Sequence, residues 1–135
     1  MTGKRVRVHT VQHARAALAA ASELGKPVTL ISAKGAAATL GAGYFRKMID
    51  AARADFPDAA AEAILDCGDD PGYALAALQE GMEAIRVDAP VDVRRKIDDI
   101  AVQCGARLDT DDDDALDLLD IVDAEAAARD WLADD

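Results

Sequence analysis

One stretch of the chain decides the fold: Ala63-Ile64-Leu65-Asp66-Cys67-Gly68-Asp69-Asp70-Pro71. It begins with a short apolar run that is typical of a buried strand. It closes with a helix start, because Asp69 or Asp70 suits the N-cap and Pro71 suits the first helical position. A strand that passes into a helix within a few residues is the repeating unit of α/β proteins.

The same alternation runs along the rest of the chain. Apolar runs predict strands at residues 6–9, 28–31, 63–67 and 84–88, with a brief fifth strand at 106–108. Helical spacing of apolar residues predicts helices at 13–24, 44–56, 73–81 and 91–104, and the Gly- and Ala-rich residues 32–43 are predicted to form a loop. Strands and helices in this order form parallel βαβ units with right-handed crossovers. We therefore predict an α/β fold with a parallel sheet of four or five βα units.

Charge divides the chain near residue 108. The 135 residues carry a formal net charge of −11, from 15 Lys and Arg against 26 Asp and Glu. Residues 1–108 hold 14 basic and 14 acidic side chains, whereas residues 109–135 hold 12 acidic side chains and one basic one, Arg129. We predict a βα-repeat domain at 1–108 and an acidic helical C-terminal segment at 109–135 that packs on the same domain.

Two helices are predicted in the acidic segment. The aspartates at 111–114 resemble the start of a helix over 115–119, because negative charge complements the positive end of the helix dipole. A second helix at 124–132 is predicted to dock through Trp131 and Leu132.

The composition also excludes several classes of partner and location. An acidic chain without a basic stripe is repelled by nucleic acid and by anionic membranes. No run of about 18 apolar residues suits a membrane span, and the N-terminus does not resemble a secretory signal. Two cysteines, Cys67 and Cys104, do not form a disulfide framework in a chain of this size. We expect a reduced, cytoplasmic protein.

No cofactor motif is complete. Gly41-Ala42-Gly43 lacks the third glycine of the dinucleotide fingerprint, and the loop around it lacks the Lys-Ser/Thr pair of a P-loop. The acidic run Asp109–Asp114 lacks the central glycine and the terminal glutamate of an EF-hand loop, so helix capping and solvation account for it better. We predict no cofactor and no bound metal.

Polar residues follow the predicted strands, at the edge where parallel sheets gather their ligand-binding groups. Asp66 beside Cys67 suits a catalytic acid or base paired with a thiolate, because a thiol near a helix start has a lowered pKa. An anion is the ligand that suits Lys34, which can also act as an amine nucleophile. The alternative is that these residues only end strands, cap helices or face solvent. The candidates are Asp66 and Cys67 for catalysis, and Ser32, Lys34, Gly35 and Asp88 for ligand binding.

Several of these stretches together resemble a known family. They are Lys26–Ala36, Gly43–Phe45, Met48–Ala52, Phe56–Pro57, Ala63–Asp70 and Ala74–Asp88. In order and spacing, over about residues 5–108, they resemble the N-terminal half of class II, metal-dependent fructose-bisphosphate and related ketose-bisphosphate aldolases. Those enzymes are complete (β/α)₈ barrels, so the resemblance implies a relative of half a barrel.

The resemblance also bears on chemistry. The family's third strand ends in a His-x-Asp-His-Gly motif, in which the last His binds the metal and the Asp serves in proton transfer. That motif falls on Ile64-Leu65-Asp66-Cys67-Gly68, so Asp66 matches the acid while Cys67 and Ile64 stand where the family has histidines. What the resemblance implies is the fold of the units and affinity for a small anionic ligand at the strand-end edge, without aldolase activity.

In half a barrel, the apolar side chains on the concave face of the sheet would be exposed to solvent. We predict that the sheet is either half-barrel-like or opens into a doubly wound arrangement, with the C-terminal helices packed on it, and that two chains form a homodimer. The predicted function is a non-catalytic binding or interaction module. Its acidic segment either keeps the protein in solution or docks a basic protein partner. The alternative is a small enzyme or a binder of sugar phosphates or small acids at the strand-end edge.

Overall fold

The structure is a computed structural model that describes residues 3–134, and it forms an α/β fold. Its strands are β1 (Lys4–Arg7), β2 (Val28–Ile31), β3 (Ala61–Asp66), β4 (Ala84–Arg86), β5 (Arg107–Leu108) and β6 (Ala115–Asp117). Its helices are α1 (Val11–Leu24), α2 (Ala36–Thr39), α3 (Ala42–Asp55), α4 (Pro71–Gln79), α5 (Val91–Gln103) and α6 (Ala124–Ala133). The strands make one sheet in the order β5-β4-β3-β2-β1-β6, so the predicted parallel sheet with helices is confirmed.

Strand-to-helix turns form where the sequence predicts them. The Asp70 side chain accepts a hydrogen bond from the Gly72 backbone N–H at 2.8 Å, and Pro71 is the first residue of α4. Asp70 rather than Asp69 is therefore the N-cap. The short helix α2 is an addition, because it forms inside residues 32–43, which were predicted to be a loop throughout.

The acidic segment differs from its prediction. Residues 115–117 form β6, which pairs in parallel with β1 and sets Leu116 opposite Val6, so the helix predicted over 115–119 is wrong. The sheet accordingly has six strands where four or five were predicted, and one C-terminal helix, α6, follows in place of two. A strand forms because Leu116 and Leu118 alternate with polar or exposed neighbours, which is the period of a sheet and not of a helix.

The described residues form two compact units. The first draws on residues 1–31, 47–62 and 113–135, and the second on 32–46 and 63–112. In the first unit α1 packs against α6 through small side chains, and Ala17 and Ala128 are both fully buried. Leu132 is buried, and the Trp131 indole N–H donates to the Arg5 carbonyl at 2.9 Å, which confirms the predicted docking residues of this helix.

The two faces of the sheet differ in chemistry. Because successive strand residues point to opposite faces, paired residues show each face in turn. In the first unit the Val6–Leu30 pair is apolar, and the next pair along, Arg5–Thr29, is polar and buried on the other face. In the second unit Leu65 pairs with Ile85, and the next pair is Asp66 with Arg86. Polar pairs therefore stand on the opposite face from these apolar pairs, although in the second unit the buried apolar pair Ile64–Ala84 shares its face with Asp66–Arg86.

None of the helices formed by residues 3–134 combines the length and the apolar character that crossing a bilayer requires.

Candidate functional site

A cleft of about 480 Å³ opens in the second unit at the carboxyl ends of β3, β4 and β5. This is the edge at which open parallel sheets bind ligands. Its volume lies in the range of small-molecule sites. The cleft is lined by Lys34, Gly35, Asp66, Gly68, Asp69, Arg86, Val87, Asp88, Arg94, Asp109, Thr110 and Asp112.

Asp66 is held in the cleft by the backbone. Its Oδ1 accepts hydrogen bonds from the N–H groups of Gly35 at 3.1 Å and Gly68 at 2.8 Å. Both glycines have positive φ, 68° and 64°, a backbone conformation that other residues rarely adopt. The second carboxylate oxygen, Oδ2, makes no hydrogen bond with any residue that the structure describes. One oxygen of Asp66 is thus fixed, while the other can accept a hydrogen bond from a ligand.

Ser32 supports Asp66 from below. Its side chain is fully buried, its Oγ accepts from the Asp66 backbone N–H at 2.9 Å, and its hydroxyl donates to the Ala33 carbonyl at 2.9 Å. It does not line the cleft. The candidate ligand-binding residue Ser32 is therefore placed as a positioning residue for Asp66.

Cys67 points away from the cleft. The side chain is 2% exposed, and its Sγ lies 3.7 Å from the Leu65 carbonyl oxygen. Burial, and then the charge of Asp66, raise the pKa of Cys67 to about 12. The sequence position predicts a lowered pKa, and that prediction is wrong. Burial disfavours the charged thiolate, and this raises the pKa. At neutral pH Cys67 stays a thiol and supplies no nucleophile.

Arg86 holds the first part of the acidic run. Its Nη1 donates to Asp109 Oδ2 at 3.0 Å and to the Asp111 carbonyl at 2.6 Å, and its Nη2 donates to the Asp112 carboxylate. Asp109 is fully buried at its side chain and also accepts from Arg107 at 3.4 Å. Burial alone would lower the pKa of Arg86, but the hydrogen bonds that Arg86 donates to Asp112 and Asp109 outweigh it and raise that pKa. This part of the run is therefore paired inside the unit, which corrects its assignment to helix capping and solvation.

Two cations in the cleft have no counter-ion among residues 3–134. Lys34 is exposed, and Arg94 is half-buried in the first turn of α5; neither makes a hydrogen bond or ion pair with another described residue through its side chain. The Arg94 Nε–H is enclosed by protein, and no described residue supplies an acceptor for it. Buried polar groups without a partner are uncommon in proteins, and they call for an explanation such as an unseen ligand or ion.

The structure brings together four of the six predicted site residues. Lys34, Gly35, Asp66 and Asp88 line one cleft, whereas Ser32 lies beneath it and Cys67 outside it. The prediction missed Arg86 and Arg94. Arg86 had a signal, because it is a charged residue inside an otherwise apolar strand, whereas Arg94 sits on a charged helix that offered none.

The metal that the aldolase resemblance implies does not fit these residues. Across residues 3–134 there is no group of three or more His, Cys, Asp or Glu side chains arranged to hold a metal ion. At the position of the family's metal-binding histidine stands the buried, protonated Cys67.

No protein-family model matches this chain, and the search of curated proteins also finds no match. The resemblance to the aldolases stays a prediction.

Proposed function

We propose that the protein is a non-catalytic binding domain for a small anionic metabolite, which it holds at the carboxyl ends of β3, β4 and β5. The observation that carries the proposal is the pair of cations, Lys34 and Arg94, that line the cleft without a counter-ion among residues 3–134. An anion bound by both side chains would be the counter-ion of Arg94. The site is partly enclosed, and electrostatic attraction is stronger there than in water.

Asp66 adds an acceptor to this site. Because its Oδ1 is fixed by two backbone N–H groups, its Oδ2 presents a defined position to a hydroxyl or N–H group of the ligand. A carboxylate that accepts such a hydrogen bond contributes selectivity as well as affinity, since analogues without the donor leave it unpaired.

Two of the side chains that could act as covalent nucleophiles, Cys67 and Ser32, do not line the cleft. Cys67 is buried as a thiol, and both hydrogen bonds of the Ser32 hydroxyl are made inside the protein. The open Oδ2 of Asp66 is the observation that favours the alternative, an enzyme in which this carboxylate moves a proton. In that case Asp66→Asn abolishes turnover of the bound compound and leaves its binding largely intact.

The test is a thermal-shift panel of sugar phosphates and small carboxylic acids with the full chain. A compound at 100 times its Kd stabilises the folded protein by about 2.7 kcal/mol, which is readily detected as a rise in melting temperature. Arg94→Gln should reduce the affinity by about tenfold or more, the contribution of a charge-assisted hydrogen bond.

The matched control is Lys96→Gln, which removes one positive charge from the exposed face of the same helix, outside the cleft. This variant should bind like the unaltered chain. A panel without any shift, or an equal loss in both variants, contradicts the proposal.

A further inference from the structure

The cleft contains unpaired groups of both signs. Arg86 pairs with Asp109 and Asp112, Arg107 also pairs with Asp109, and Asp66 is held by backbone N–H groups. Four charged side chains of the cleft make no hydrogen bond or ion pair with another residue of the described part of the chain: the cations Lys34 and Arg94 and the carboxylates Asp69 and Asp88.

The two carboxylates belong to adjoining loops. The Asp88 backbone N–H donates to the Gly68 carbonyl at 2.7 Å, so the loop that follows β4 is tied to the loop that follows β3 and carries Asp69. The two aspartates are both exposed and both line the cleft. They form its negative side.

The two cations come from the flanking elements. Lys34 lies on the loop that follows β2. It is next to Gly35, whose N–H donates to Asp66. Arg94 lies in the first turn of α5, where its N–H donates to the Pro90 carbonyl at 2.9 Å. Lys34 and Arg94 thus lie on different elements from Asp69 and Asp88.

This distribution disfavours a ligand that carries only negative charge. Lys34 and Arg94 attract an anionic group, but Asp69 and Asp88 line the same space and repel it. A ligand with one anionic end and one cationic end meets a complementary group at both ends, and like charges in a shared site are avoided.

We infer that the ligand is a zwitterion, a small molecule with one carboxylate and one ammonium group, such as an amino acid. Lys34 and Arg94 bind the carboxylate, and Asp69 and Asp88 bind the ammonium group. The inference rests on the proposed function for the carboxylate end and adds the ammonium end.

Matched pairs of compounds test the inference by isothermal titration calorimetry on the full chain. The pairs are propionate with β-alanine and butyrate with γ-aminobutyrate, and alanine is added to test an ammonium group next to the carboxylate. Each amino compound should bind about tenfold tighter than its matched acid, which is the contribution of one charge-assisted hydrogen bond. The compound that binds tightest shows which spacing between carboxylate and ammonium group the site prefers, and so whether the ligand is an α-amino acid or a longer one.

Asp88→Asn should remove most of that preference and leave the affinity for the plain acids unchanged or higher. Asp99→Asn is the matched control, because it removes an exposed carboxylate of α5 that does not line the cleft. It should keep the preference.

The outcomes separate this inference from the proposed function. Plain acids that bind as tightly as their amino counterparts overturn the zwitterion and leave the anion site standing. If sugar phosphates bind and neither member of any matched pair binds, the zwitterion is likewise overturned and the anion site stands. No binding of any compound in either panel overturns both.

Discussion

Asp66 and Cys67 are neighbours in the sequence, but Asp66 lines the cleft and Cys67 is buried outside it. Because side chains alternate across a strand, a cleft that receives Asp66 places Cys67 on the opposite face, where it is buried. The sequence predicted that Lys34, Gly35, Asp66 and Asp88 would meet, since parallel strands end at one edge. It did not reveal which residue of each pair faces the cleft, because that depends on the register of neighbouring strands.

Arg94 shows the other limit of sequence reasoning. Its role depends on the tilt and position of α5 relative to the sheet, and nothing in the local pattern of a charged helix distinguishes it from Arg95 or Lys96. The absence of an acceptor for its Nε among residues 3–134 is a tertiary property.

The contrast between the two cysteines gives a prediction at this scale. The thiolate is the reactive form of cysteine, and Cys67 is buried with its pKa raised to about 12, whereas Cys104 is exposed. At neutral pH iodoacetamide should modify Cys104 in the native protein, and Cys67 only after unfolding. Peptide mass spectrometry before and after denaturation measures both sites. Rapid native modification of Cys67 would contradict its placement.

At the scale of elements, β6 is the largest departure from the sequence prediction. Four aspartates before an apolar run are typical of a helix start, but the run is short and pairs with β1. Tertiary pairing overrides the local signal here, because Leu118 becomes fully buried and its N–H donates to the Arg7 carbonyl at 3.1 Å. The other strands and the longer helices were predictable, since their patterns are uninterrupted and bounded by Gly, Pro or Asp.

The two leucines that directly follow β6 differ in burial. Leu118 is fully buried and Leu119 is 53% exposed. Leu118→Ala should lower the free energy of unfolding by about 2–5 kcal/mol, the usual effect of truncating a buried leucine. Leu119→Ala, the matched control, should change it by about 0.5 kcal/mol or less. Urea unfolding measures both, and equal effects would contradict the described pairing of β6.

A second prediction concerns the contact between β6 and the end of β1. His9 Nε2 lies 2.6 Å from Asp117 Oδ1. Burial alone would raise the pKa of Asp117, but hydrogen bonds from the Leu119 N–H and from His9 hold that pKa below its ordinary value. A carboxylate with a depressed pKa in the folded state contributes stability above its unfolded pKa and loses it as the pH falls through the folded value.

Asp117→Asn should therefore flatten the loss of stability on acidification below the ordinary aspartate range, and it should lower stability near neutral pH. The measurement is urea unfolding across a pH series. Asp120→Asn, three residues past the end of β6, is the control. An unchanged acid limb in Asp117→Asn would show that the pair contributes nothing.

At the scale of the whole molecule, the acidic segment is part of the fold. The whole net charge of −11 lies in residues 109–135. Part of this charge is paired with Arg86 in the second unit, and the segment's apolar residues build β6 and α6 in the first. The homodimer, the basic protein partner and the cytoplasmic location stay predictions; sedimentation velocity decides the first of these.

Removal of the segment is the prediction at this scale. Truncation after Leu108 deletes β6, a partner strand of β1, and the helix α6 that packs against α1, so part of the buried apolar surface of α1 becomes exposed. The truncated chain should aggregate, because exposed apolar surface drives association. Size-exclusion chromatography and thermal melting test it, and a monomer with an unchanged melting temperature would contradict it.

The central claim is that a small charged metabolite binds in the cleft at the ends of β3, β4 and β5. The most direct measurement is a ¹H–¹⁵N correlation NMR titration of the full chain with the best compound of the panels. The account predicts that the amide signals of Gly35, Gly68 and Asp88 shift together and saturably, while those of Ala17 and Leu30 in the first unit stay in place. Shifts confined to other residues, or no shifts with any compound, would contradict it.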